Sequence, residues 1–409
     1  MHEIDRIRVA PQAAIVYEHG WQSWSSSTSY PLHAGPLRPR TENSRIMNCR
    51  QDTRPPADAF WGEGLLAVGP GDGSGIVVFS AAAGAAPHGE SPTVWCSWYQ
   101  YFRKVTEDDI FENLAAMDDL GLDVDVVQID DGYQAEIGDW LTESGRFASL
   151  ESAVARIRGT GRRAGLWLAP FLVSPRSAVY AEHPGWLVGG ARAGFNWEAE
   201  QAVLDVTHPG AEEYLRTVFG TLRRIGIDYF KLDFLYAGAL AGRRADAEAT
   251  PLTAYRRGME MIRAATGPDS YLLGCGAPIL PSVGLVDAMR VSPDTAPQYE
   301  PDDSDLSMPS QRAAALTGRA RAWQHGRFWA NDTDCLIARP QVQRREAWAA
   351  HVDRYGGLRS SSDRLRDLDD WGLETTRSSG SAPRRSMTSC HTRPAARSPP
   401  AGPRSPGPA

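Results

Sequence analysis

The 409-residue chain is poor in cysteine: Cys49, Cys96, Cys275, Cys335 and Cys390 are odd in number and widely spaced. No C-x-x-C pair offers a zinc or dithiol site, so the thiols read as reduced and the compartment as cytoplasmic. A basic excess is also lacking. The formal net charge is −7, which speaks against nucleic acid or an anionic membrane as partner, because binders of phosphate chains normally show a basic face. No run from Met1 to Gly20, nor any later one, has the continuous hydrophobicity of an export signal or a membrane span. Tryptophan, by contrast, is plentiful at 13 residues. Exposed indoles stack on sugar faces, although for any single Trp a place in the core is the commoner role. A small neutral substrate fits this profile best.

With 42% hydrophobic residues, the chain has enough apolar material for one barrel-sized core and a smaller unit. Residues 1–90 are rich in Gly, Pro and Ser, with short alternating stretches such as Gly75 to Ser80 and no helical period, and read as a short all-β leader. From Thr93 onward, apolar runs alternate with amphipathic helical segments, which is the texture of βα units. Eight candidate strands follow: Val94–Tyr99, Val124–Asp130, Ala164–Pro170, Ile227–Phe234, Tyr271–Cys275, Ala288–Ser292, Arg327–Asn331 and Gly356–Ser360. Eight is the number that closes a (β/α)8 TIM barrel, here expected over 91–376. Helix ends are also readable: a capping box at Thr106 and Asp109, Pro251 opening a helix that Gly267 closes, and one apolar face between Gly210 and Gly226. After Arg377 the chain turns to Ser, Pro, Arg and Gly without acidic or aromatic residues, so 377–409 is expected to be a disordered tail. So abrupt a change is what a reading-frame slip near Arg377 would produce, and resequencing the locus checks it.

In a parallel barrel the chemistry lies where the strands end. Strand two ends in Asp130-Asp131, strand four in Lys231-Leu232-Asp233, strand five in Cys275-Gly276, strand six in Arg290 through Asp294, and strand seven in Asn331-Asp332-Thr333-Asp334. Taken singly, each has an ordinary explanation: a structural ion pair for Lys231 and Asp233, a helix cap for Asp130 or Asp131, a small buried side chain for Cys275. Their recurrence at the ends of different strands shifts the balance. Lys231 and Asp233 are two apart and emerge on one face, so the ammonium is expected to hold Asp233 ionised, as a nucleophile requires. Asp294 is expected to be less tied to a cation and freer to keep a proton, as a general acid requires. Two such groups about 5 to 5.5 Å apart act by double displacement with retention, whereas a wider gap admits water and inverts.

The stretches Trp95-Cys96-Ser97-Trp98-Tyr99, Gln128-Ile129-Asp130-Asp131, Gly165 to Phe171, Phe230-Lys231-Leu232-Asp233-Phe234, Leu273-Gly274-Cys275-Gly276, Arg290 to Thr295 and Asn331 to Asp334 together resemble glycoside hydrolase family 36, the microbial α-galactosidases. The likeness runs from Trp95 to Arg339. It implies a retaining α-galactosidase with Asp233 as nucleophile and Asp294 as acid/base, using neither metal nor organic cofactor on a small α-galactoside. By the same likeness Asp130 and Asp131 hold the hydroxyls that define galactose, Trp167 packs beside the ring, and Lys231, Cys275 and Arg290 line the pocket, with Tyr101 a further candidate. Galactosyl transfer and N-acetylgalactosamine release are alternatives on the same site, and a silent or unstable sugar-binding remnant is the alternative outside catalysis. Members of the family carry a larger N-terminal β-sandwich and a C-terminal β domain. Here the leader looks like a shortened β-sandwich, its segment Gly20-Trp21-Gln22-Ser23-Trp24-Ser25 offering a Trp to the site rim, and the tail stands in place of the C-terminal domain. Oligomeric state is not readable from the sequence.

Overall fold

The computed structural model describes residues 9–51, 54–80 and 91–381. Eight parallel strands form one sheet: Thr93–Cys96, Val126–Ile129, Arg163–Leu168, Ile227–Leu232, Tyr271–Gly274, Ala288–Arg290, Ala330–Asp332 and Arg359–Ser361. Each falls within or beside one of the eight stretches expected from sequence. The first pairs with the eighth, and Gly357 N and Leu358 N donate to Asn331 O, which joins the eighth to the seventh. The sheet therefore closes as a (β/α)8 barrel.

The interior changes character along the strands. Val94, Val126, Tyr229, Leu273, Ala288, Ala330 and Leu358 form one buried apolar cluster. Gly165 makes room for it, because a Cβ there would lie 2.9 Å from the Tyr229 ring. Side chains two residues apart on a strand point the same way. The next inward positions are therefore Cys96, Gln128, Trp167, Lys231, Cys275, Arg290, Asp332 and Ser360, all buried. The core thus turns from a mainly apolar layer to a mainly polar one within two residues, and its charged members, Lys231, Arg290 and Asp332, lie toward the C-terminal mouth.

The helical signals hold in detail. Thr106 and Asp109 exchange hydrogen bonds as a capping box ahead of Glu107–Asp119, Pro251–Thr266 ends against Gly267, and Pro209–Ile225 ends on Gly226 in the left-handed region, where glycine carries no Cβ penalty. The helix Asp370–Ser381 carries regular structure past Arg377, so the expected tail begins later than 377. Its remainder lies outside the described residues.

The leader holds a four-stranded antiparallel sheet in the order Thr28–Pro31, Ile15–Glu18, Leu65–Gly69, Val77–Ser80. It is not all β. Glu42–Asn48 is a helix, capped by the Thr41 side chain, and its seven residues are too few to print a period on the sequence.

Leader and barrel are bound together at Trp21–Ser25. Ser23 N donates to Ala277 O, Ile279 N to Trp21 O, and the Trp24 indole to Cys275 Sγ at 3.3 Å. Beneath them lies Arg321, fully buried. Its guanidinium donates to the carbonyls of Ser23, Gln22 and Ser25 in the leader and of Val291 at the end of the sixth strand. Burial lowers its pKa to about 10, but not enough to remove the proton near neutrality. Arg321→Met leaves these carbonyls without their donor and is expected to lower stability by on the order of 3 kcal/mol, measured as a shift in the urea unfolding midpoint.

Candidate active site

A cavity of about 390 Å³ opens at the C-terminal mouth of the barrel, a size typical of small-molecule sites. Asp130, Asp131, Trp167, Lys231, Asp233 and Asp294 all line it, so six of the nine residues proposed from sequence meet in one pocket.

Asp233 follows the fourth strand. Its Oδ2 accepts from the Trp167 indole at 2.9 Å and its Oδ1 from the Phe234 N–H at 2.8 Å. Phe234 itself lies at φ 50°, an uncommon conformation for an aromatic residue beside the site. Lys231 sits 4.0 Å from Asp233, but its hydrogen bond goes to Asp130 Oδ2 at 3.0 Å. The expected Lys231–Asp233 pair is therefore the looser of two. The long lysine stem crosses the barrel to the second strand, while Asp233 is oriented by N–H donors. Asp130 Oδ2 also accepts from Gln128 Nε2 at 2.6 Å and the Cys96 thiol at 3.3 Å. Burial pulls the Lys231 pKa down, and Asp130 and Asp233 more than offset it, so the ammonium is held well above its ordinary range. Lys231 and Lys104 are the chain's only lysines, and a compact point charge suits this position better than the planar fork of arginine.

Asp294 departs from the expectation that it is little tied to a cation, because Arg290 Nη1 lies 3.0 Å from its Oδ1. That guanidinium is shared, however. Its Nε is 3.1 Å from Asp332 Oδ2 and its Nη2 2.8 Å from Asp334 Oδ1. One cation facing three carboxylates cannot neutralise them all. Burial raises Asp294 to about 7, Arg290 opposes the rise, and Asp334 adds to it. About a third of the Asp294 side chain is exposed, and it faces the pocket rather than bulk water, so desolvation still acts. Asp131 is raised to about 6, chiefly by burial, against hydrogen bonds from the Trp197 indole at 2.7 Å and Gln134 at 2.6 Å.

Three of the proposed residues stand outside the cavity wall. Arg290 lies beneath it, holding carboxylates. Cys275 is buried under Trp24. The Tyr101 hydroxyl accepts from Asn113 Nδ2 at 2.7 Å and its ring packs near Trp95, away from the pocket.

Other wall residues were not found from sequence. Trp197 belongs to a hairpin pairing Phe195–Asn196 with Ala199–Glu200. Its two linking residues, Trp197 and Glu198, both have positive φ, 51° and 57°. Such tight loops usually announce themselves with Asn-Gly, and Trp-Glu carries no such signal. External anchors hold the hairpin: Asn43 clasps both Phe195 N and O, and Arg103 pairs with Glu198 at 2.8 Å. Asn43, Met47 and Asn48 of the leader helix complete the same wall. Among the described residues, no three His, Cys, Asp or Glu stand in an arrangement that could hold a metal ion.

Residues 82–256 match the Melibiase family model. The fold is similar to that of the α-galactosidase of Thermus thermophilus solved with p-nitrophenyl α-D-galactopyranoside, with a TM-score of 0.78, 28% identity, and coverage of 91% of this chain and 86% of that one. The α-galactosidase AgaA of Geobacillus stearothermophilus is 27% identical over 161 residues, which span 37% of this chain and 22% of that relative. A GH27 β-L-arabinopyranosidase of the same organism shares the fold, at 16% identity and a TM-score of 0.55, over 71% of this chain and 75% of that one.

Lys231→Met removes the cation that faces Asp130 and leaves that carboxylate buried without one, an expected loss of about 3 to 5 kcal/mol at neutral pH. An unpaired buried carboxylate has its folded pKa raised above the unfolded value, so its ionisation penalty disappears in acid. The stability deficit of the variant against the wild type should therefore shrink as pH falls, and parallel urea titrations across pH read it.

Proposed function

We propose that the chain hydrolyses terminal α-D-galactosides by double displacement, as a member of glycoside hydrolase family 36 rather than its neighbour family 27. The observation that carries this reading is the opposite condition of two carboxyls in one pocket. Asp233 is held by N–H donors and poised to attack, while Asp294 keeps its proton up to about pH 7. Asp233 attacks the anomeric carbon, the bond to the leaving oxygen breaks, and Asp294 passes its proton to that oxygen. Water then attacks the galactosyl-enzyme, Asp294 takes its proton, and Asp233 is released with the original anomeric configuration restored.

Asp130 and Asp131 offer buried carboxylates to sugar hydroxyls, and an epimer that leaves one unpaired is rejected by the desolvation it fails to repay. Trp167 and Trp197 supply apolar faces beside them. We assign catalysis to residues 91–376, with the leader completing one wall. The free, buried state of Cys49, Cys96, Cys275 and Cys335 supports a reducing, cytoplasmic setting. Among the described residues no helix is long and apolar enough to cross a membrane.

The purified chain is expected to release nitrophenol from the α-galactoside and not from the matching α-glucoside, and Asp233→Asn to lose about 10⁴-fold or more in kcat. Above pH 7 the kcat/KM of the wild type should fall along a one-proton limb as Asp294 ionises. Equal turnover of both sugars, or an active Asp233→Asn, overturns the reading. Galactose binding without turnover points to the silent remnant.

A further inference from the structure

We propose that Asp334 is a positioning residue for acid catalysis: it holds Arg290 away from full engagement with Asp294, so that Asp294 retains the proton it must donate. The inference rests on the reading of Asp294 as the general acid and extends it to a residue outside the pocket wall.

The geometry is specific. The Asp334 side chain is wholly buried and its Oδ1 lies 2.8 Å from Arg290 Nη2, opposite the Nη1 that reaches Asp294. Four donors fix the carboxylate: Arg290, the Cys335 N–H at 2.6 Å, the Thr295 N–H at 2.7 Å and the Tyr99 hydroxyl. The chain adopts φ 88° at Asp334 to present it so. Thr295 directly follows Asp294, so Asp334 also pins the loop that carries the acid.

Charge alone gives the sign. Asp294 is faced by Arg290 from its own strand end, Asp334 from the seventh, Lys231 and Asp233 from the fourth, the Cys275 thiol after the fifth, and the Tyr99 phenol after the first. Asp334 repels a charge on Asp294 directly and draws on the cation that would otherwise offset it. Both effects favour the protonated acid. Removing the Asp334 charge releases Arg290 to Asp294 and drives its proton off at lower pH.

Asp334→Asn tests this directly, since Asn tolerates positive φ. Asp334→Gly is the second variant, free of backbone strain and of any misplaced amide donor. Both are assayed for kcat/KM against pH on nitrophenyl α-galactoside, whose leaving group needs little protonation, and on methyl α-galactoside, whose leaving group needs much. The alkaline limb is expected to move down by about one pH unit. The loss at neutral pH is expected to be about tenfold or more greater for the methyl glycoside. An unmoved limb in both variants, or equal loss on the two substrates, overturns the proposal and leaves Asp334 a structural role. A wild type inactive on both glycosides removes instead the reading on which it rests.

Discussion

The mouth of this barrel holds more buried negative charge than its cations can balance. Asp130, Asp131, Asp233, Asp294, Asp332 and Asp334 converge there, and the buried cations among them are Lys231 and Arg290. Burial raises the pKa of Asp131, Asp294 and Asp334. Where protons settle is decided by partners. Asp233 is oriented by its indole and amide donors. Asp294 shares one guanidinium with two rivals. The proposed division between nucleophile and acid follows from scarce positive charge, distributed by the barrel.

The rest of the structure serves that distribution. An apolar layer at the base of the barrel gives the strands a rigid footing, so charged side chains two residues further on reach fixed points. The leader is tied to the barrel through Arg321, whose hydrogen bonds go to carbonyls rather than to the pocket's carboxylates. Trp24, the helix Glu42–Asn48 and the hairpin at Trp197 form the outer wall, and the last is kept in an unfavourable backbone conformation by contacts from three other segments.

What the sequence disclosed follows the range over which each signal acts. Strand positions and helix caps depend on residues a few places apart, and the eight strands and the box at Thr106 were readable. The pocket carboxylates were readable too, because a barrel places chemistry where apolar runs end. Partner choice was not. Lys231 and Asp233 are neighbours in sequence, yet Lys231 bonds Asp130, because closure of the barrel brings the second strand within reach of the fourth. Arg290 illustrates the same limit, since its competition among three carboxylates exists only after the sixth and seventh strand ends meet. The hairpin at Trp197 and the two-turn helix at Glu42–Asn48 were missed because neither carries a local signature; their conformations are imposed by docking.

The central claim is that Asp233 becomes covalently bonded to the sugar. A 5-fluoro-galactosyl fluoride, which slows release of the glycosyl-enzyme, followed by intact-mass and peptide analysis, tests it most directly. One glycosyl adduct per chain, on the peptide carrying Asp233, is the predicted result. Turnover of galactosides with no adduct, or an adduct on another residue, would contradict it.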